Sequence, residues 1–249
     1  MKYDIPLYGR ECTLGITIHG VNNKNLRLIV EDAKNPETLF TNRTATVNGD
    51  KTYYVRLPLA PDVASVEVIA DDGRNEGYDI KDIQILPLEN NLKHAYFDQK
   101  HVRMFVNFAE EFSYNAGKLQ TNKKYHSNDE MFTILYVDQI IEDGRVEETP
   151  ARISQSTGQI EISKADFLRY TIPMRMAILL HEFAHYYMNE DMEDEIEADR
   201  HGLGIYMALG YPRIDAYNVF LDVFENSPSE LNMDRYKALN NLFKTKYNG

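Results

Sequence analysis

The chain is 249 residues long and carries 39 Asp and Glu against 27 Lys and Arg, a formal net charge of −12. That length suffices for one large domain or two small ones with real cores, and a composition 43% hydrophobic and 27% charged excludes disorder and collagen-like repeats. The acidic balance argues against a nucleic-acid-binding surface, which needs clustered positive charge to displace counterions, and against docking on anionic lipid.

The single cysteine, Cys12, can form neither an internal disulfide nor a thiolate metal cluster, which suits a reducing compartment. Its two readings are a buried small apolar residue and a nucleophile. No stretch approaches the roughly 20 apolar residues of a membrane span. The N-terminal MKYDIPLYGR lacks the apolar core of a signal peptide. The sequence therefore predicts a cytoplasmic or virion location, with no membrane partner and no export by the usual signal.

Residues 13–88 read as short strands between turn residues. Leu14, Ile16 and Ile18 alternate with polar or small neighbours, the period-2 signal of a half-buried strand. Further strands are expected at residues 26–30, 44–47, 52–57, 63–70 and 80–86. Asn48-Gly49 has the chemistry of a hairpin turn and Asp72-Gly73 that of another turn. Six or seven strands at such spacing predict a small β-sandwich, read as a docking or binding module.

From about Glu89 the pattern changes. Val102, Phe105, Val106 and Phe112 fall on one face of a helix expected over residues 101–118. Residues 131–141 (MFTILYVDQII) read as a buried strand, and residues 159–163 (QIEIS) as a second, edge strand. Beyond them the chain reads as helical, with breaks near Asn189, Gly210-Tyr211-Pro212 and Ser227-Pro228. Thr171 as N-cap and Pro173 in the first turn mark the start of the first of these helices.

That helix carries His181-Glu182-Phe183-Ala184-His185, an HExxH pentad. Helical positions i and i+4 share a face, so both imidazoles can reach one metal, while Glu182 is turned aside towards a water at that metal. Three N or O ligands plus an open position is the pattern of a catalytic zinc. The pentad alone specifies few positions and recurs by chance on exposed helices. Here it follows an apolar run, Met174, Met176, Ile178 and Leu179, so its helix has a buried side. A second acidic motif also follows, Glu195-Ile196-Glu197-Ala198-Asp199. Glu195 and Asp199 lie four apart on one face. Glu195 then reads as the third ligand, and Asp199 as acceptor for the outer N–H of a liganding histidine.

HEFAH followed by EIEADRHGLGIYMALGY resembles the gluzincin metallopeptidases, in which HExxH is followed by ExxAD and a glycine-containing helix. The resemblance covers about residues 173–211. It implies an active-site helix under a small sheet, with Zn2+ held by His181, His185 and Glu195, Glu182 as general base and Asp199 as orienting residue. Nine residues (186–194) separate His185 from Glu195, fewer than many gluzincins have, so a sharp reversal is expected near Met188 and Asp191. Glu193 and Glu197 are competing acids. A metzincin reading would take Asp191, but that family has glycine where this chain has Met188.

The implied activity is hydrolysis of peptide bonds in a protein or peptide substrate, by a zinc-activated water with Glu182 as base. His201, Tyr206, Tyr211 and Arg235 are candidate donors to the developing oxyanion. The expected edge strand at 159–163 could carry an extended peptide. The sequence thus predicts an α+β chain: an N-terminal all-β, sandwich-like docking domain at residues 1–89, and a minimal zincin-like metallopeptidase domain at 90–249, a small sheet plus helices. This pairing also resembles ring or neck proteins of tailed-phage virions, particularly crAss-like phages. That resemblance implies a structural virion component around a portal or tail that retains the zinc-binding domain, with self-association or virion partners engaged through the β-domain.

Overall fold

Alternating apolar and polar residues make strands of the N-terminal stretch, but fewer and longer ones than its turn residues suggest. The computed structural model describes residues 1–74, 76–89, 95–226 and 228–246. The chain divides into two compact units, Met1–Asn90 and Asn91–Gly249, and its class is α+β. The domain boundary expected at 89/90 adjoins residues 90–94, which lie outside the described residues, as does Ser227 of the break expected at Ser227-Pro228.

The first unit is one antiparallel five-stranded sheet: β1 (Lys2–Pro6), β2 (Cys12–Asp32), β3 (Asn35–Leu57), β4 (Val63–Ala70) and β5 (Tyr78–Leu86). The strands expected around Leu14 and at 26–30 are two halves of β2, and those at 44–47 and 52–57 are two halves of β3. Asn48-Gly49 is therefore no hairpin: Gly49 sits inside β3, paired with Gly20 of β2. The irregularity lies in β2, where the pairing jumps from Gly20 to Lys24 and Asn22 and Asn23 take positive φ of 59° and 54°. Asparagine tolerates that conformation, so the residues that signal a turn produce a bulge in a continuous strand. A Cβ on Gly20 would come within 2.6 Å of Val47 O, so only glycine fits this crossing. The actual β2–β3 turn is at Ala33-Lys34, where the Lys34 N–H donates to Asp32 Oδ1 at 2.9 Å. Leu14, Ile16, Ile18, Leu26, Leu28 and Val30 are buried on both sides of the bulge. The Asp72-Gly73 turn forms as expected, with Gly73 at φ 70°.

Cys12 is buried in β2, and that burial pushes its thiol pKa up, the opposite of what a nucleophilic thiolate needs.

The second unit runs through a 3-10 turn (Ala95–Asp98), helix α1 (Lys100–Asn115), strands β6 (Lys123–His126) and β7 (Thr133–Val137), a small hairpin β8 (Ile141–Glu142) and β9 (Arg145–Val146), then β10 (Ala151–Ile153) and β11 (Ile160–Ser163). Helices α2 (Lys164–Phe167), α3 (Ile172–Tyr187), α4 (Glu195–Ala208), α5 (Arg213–Asn226) and α6 (Glu230–Lys246) follow. Val102, Phe105, Val106 and Phe112 of α1 are buried, as their spacing requires. The strand expected at 131–141 is the shorter β7, followed by the hairpin.

The four-stranded sheet has the order β10-β11-β7-β6, with β11 parallel to β7. This corrects one expectation: residues 159–163 do not form an edge. β11 is paired on both sides, and the two edges of the sheet are the three-residue β10 and β6. The alternation of QIEIS reports a strand but not its place in the sheet, which its pairing with residues 151–153 decides.

Helix α3 starts at the N-cap residue Thr171 with Pro173 in its first turn. It is apolar nearly all round, which suits a helix packed on every side. Phe183 stacks on Phe105 of α1 with ring centroids 4.3 Å apart. Arg175 is fully buried and donates to three backbone carbonyls, those of Phe167, Ser113 and Leu168. It thereby satisfies carbonyls of the segments packed against α3. Among the described residues no helix is long and apolar enough to cross a membrane.

Candidate metal centre

The i,i+4 spacing on α3 brings the two imidazoles together: His181 Nε2 and His185 Nε2 are 3.0 Å apart. Residues 188–194 reverse the chain, and α4 returns with Glu195 at its first position. Glu195 Oε2 lies 3.3 Å from His181 Nε2, and its Oε1 lies 3.6 Å from His185 Nε2. These separations bracket the edge of about 3.3–3.4 Å that two ligands at zinc distances subtend in a tetrahedron. His181, His185 and Glu195 could hold a metal ion, their three ligand atoms lying within 4.8 Å of one another.

The close approach of α4 to α3 depends on Gly202. A Cβ there would meet His181 N at 2.9 Å and its Cα at 3.0 Å, so a larger residue would push α4, and Glu195 with it, away from the histidines.

The other nitrogens of the two rings are also engaged. His185 Nδ1 is 2.8 Å from the Met192 carbonyl, which the 188–194 loop presents to it. His181 Nδ1 lies 2.9 Å from Asp199 Oδ1, an ion-pairing distance without the direction of a straight hydrogen bond. Asp199 is gripped in turn by Arg235 of α6, whose Nε and Nη2 each donate at 2.9 Å. Arg235 Nη1 also reaches Glu195 Oε2 at 2.9 Å. One guanidinium thus fixes the third ligand candidate and the histidine's acceptor together.

Titration of these groups follows those contacts. Burial opposes a charge on His181, but its close contacts with the carboxylates of Asp199 and Glu195 outweigh that and push its pKa up to about 10. Burial also acts against the charge on Glu195, yet His181 and His185 hold this carboxyl well below its usual range. Asp199 is lowered by His181 and Arg235 against the same burial. Glu182 is different. Burial raises its pKa, with the neighbouring histidines opposing. It is buried, it lines the cleft, and it is not among the clustered ligand atoms.

The cleft beside the cluster has a volume of about 450 Å³. One wall is residues 149–153, including β10, and another is the apolar face of α5 with Val219, Phe220 and Val223. Of the four candidate donors only Arg235 lines it, and Arg235 is already committed to Asp199 and Glu195. His201 lies 3.6 Å from Glu197, the Tyr206 hydroxyl donates to Pro212 O, and the Tyr211 hydroxyl to Glu110. Among the competing acids, Asp191 accepts from the Glu193 backbone N–H and Glu197 from the Glu190 backbone N–H, so both brace the reversal rather than join the cluster.

Sequence reasoning missed the Met192 carbonyl, because a backbone acceptor leaves no side-chain signal. It also missed the paired state of Arg235, which lies 36 residues beyond Asp199. Compared with known proteins, the chain matches no family model, and no curated protein matches it significantly.

Proposed function

We propose that the second unit is a zinc-dependent metallopeptidase of gluzincin-like, zincin type, and that the first is a sandwich-like docking module. The observation that carries this reading is the convergence of His181, His185 and Glu195 with a buried Glu182 that joins none of them and faces the cleft. Two imidazoles and a carboxylate suit zinc, which leaves a fourth position for water or substrate. When bound, such an ion lowers the pKa of water towards about 7 and polarises a carbonyl.

The chain's own residues supply the rest. Glu182 takes a proton from the attacking water at its carboxylate and returns it to the leaving amine nitrogen, work worth about 10²–10⁴-fold. Its raised pKa brings it closer to that of a base able to give the proton back. Asp199 and the Met192 carbonyl fix the ring orientations of His181 and His185. β10 offers its free edge along the cleft, where an extended peptide can add as a strand.

Metal analysis of the purified chain, with cleavage of a peptide library by wild type and by Glu182→Gln, tests this. One zinc per chain and cleavage lost by about 10²-fold or more in Glu182→Gln is the expected outcome. Zinc without Glu182-dependent cleavage would leave the structural role in a virion, and no bound metal would overturn the site itself.

A further inference from the structure

The walls of the cleft differ in chemistry on the two sides of the metal cluster. On the His181 side stands α5: the Phe220 ring lies 6.1 Å from the His181 ring, and Val219, Val223 and the preceding α3 residue Ile178 continue an apolar surface. On the His185 side stands the 188–194 reversal, whose Met192 carbonyl holds His185 and whose Glu193 lines the same cleft. The charged residues lining it divide clearly. Arg152 of β10 is bonded to Glu142 and Glu161, and Arg235 to Asp199 and Glu195. Glu193 is exposed, and its backbone N–H donates to Asp191 Oδ1. Residues 181–199 contain eight acids and no Lys or Arg; Arg235 offsets Glu195 and Asp199, and Arg200 offsets Glu197. An acidic turn alone would be a solvated loop. This one shares a cavity with an apolar wall and with the buried carboxylate of Glu182.

We infer that the cleft selects an extended peptide with a large apolar side chain against Ile178, Val219, Phe220 and Val223, and a Lys or Arg beside Glu193 on the other side of the cleaved bond. The inference rests on the peptidase reading and names its substrate class. Burying a leucine-sized side chain there removes apolar surface from water. The basic residue gains from a field that is negative near the reversal and screened by salt.

Binding and cleavage test it separately. Four fluorescent decapeptides, combining Leu or Ala with Lys or Glu on either side of one central bond, are titrated onto the zinc-loaded Glu182→Gln chain, and wild type is profiled on a random peptide library. The Leu/Lys peptide is expected to bind tightest. Replacing Leu by Ala should cost about tenfold or more, and replacing Lys by Glu about threefold to tenfold at low salt, shrinking as salt is added. Glu193→Lys, an exposed change that leaves the core alone, should invert the charge preference, and Val223→Asp should abolish the apolar one. Cleavage with a flat profile at both positions, or equal binding of all four peptides, overturns the inference and leaves the peptidase reading standing. Selective binding without cleavage by wild type supports the inference and overturns the peptidase reading.

Discussion

At His181 three demands meet on one imidazole: its Nε2 faces the cluster, its Nδ1 faces Asp199, and the whole ring is buried. With its pKa pushed up to about 10, the metal-free ring is a cation at neutral pH, and a metal must displace that proton. Metal affinity should therefore rise by about tenfold per pH unit between pH 6 and 9 as one proton is given up, measured by competition with a chromophoric chelator at several pH values. A flat profile would show that His181 is already neutral. The same proton has the opposite effect on the metal-free fold. A folded pKa raised above 6.5 stabilises below 6.5, and that contribution disappears as pH rises through about 10. The carboxylates act in the other direction: Glu195 and Asp199, both lowered, contribute above their ordinary values and lose that contribution on acidification. The two histidines, and Glu195 with Asp199, are legible from spacing because a helix turns an i,i+4 spacing into a shared face, and Glu182 is legible from its place inside the pentad, turned aside from that face. Arg235 enters only through α6, and nothing in its local sequence announces the partner.

At the scale of elements, the site is a contact between two helices. α3 presents the histidines, α4 returns the glutamate, and Gly202 permits the distance between them. Gly202→Ala should drive a methyl into the backbone at His181. We expect a loss of about 1–3 kcal/mol in stability and a weaker metal site, measured by denaturant titration of the metal-free chain and by metal affinity. A variant with native affinity would show that α4 can retreat without moving Glu195. The glycine was visible in the sequence only as part of a motif, and its purpose appears once α3 lies against it. The β10 edge teaches the same lesson. Three residues carry too little pattern to be read as a strand, whereas the four of β11 alternate clearly and so read as an edge, a place that β10 occupies.

For the whole molecule, the proposed metal site predicts that the two units respond to metal differently, because the clustered ligand candidates all belong to Asn91–Gly249. Removing metal with a chelator should lower the unfolding midpoint of the second unit alone. A hundredfold excess of ion over its dissociation constant stabilises by about 2.7 kcal/mol, a shift of a few degrees. Scanning calorimetry with and without chelator reads this, and a shift of both transitions, or of neither, counts against it. The net charge of −12 also belongs mostly to one place. Residues 181–199 hold eight acids and no bases, two thirds of the excess. Part of that charge faces the cluster, and part caps the start of α4, where Asp194 accepts from the Glu197 N–H and negative charge suits the helix dipole.

The sequence by itself determined what local periodicity can encode: the class, the helix that carries HExxH, and the five side chains of the candidate centre, in which the i,i+4 pairs His181/His185 and Glu195/Asp199 each share a helical face before any packing occurs. Only the tertiary structure decided which residues those side chains lean on and which edge of the sheet faces the cleft. The same holds for the first unit, where Asn22, Asn23 and Gly49 belong to two long bulged strands instead of four short ones. Turn chemistry states where the backbone departs from regular geometry. Whether the chain reverses there or carries on past a bulge depends on the strand that pairs with it, and that partner lies tens of residues away.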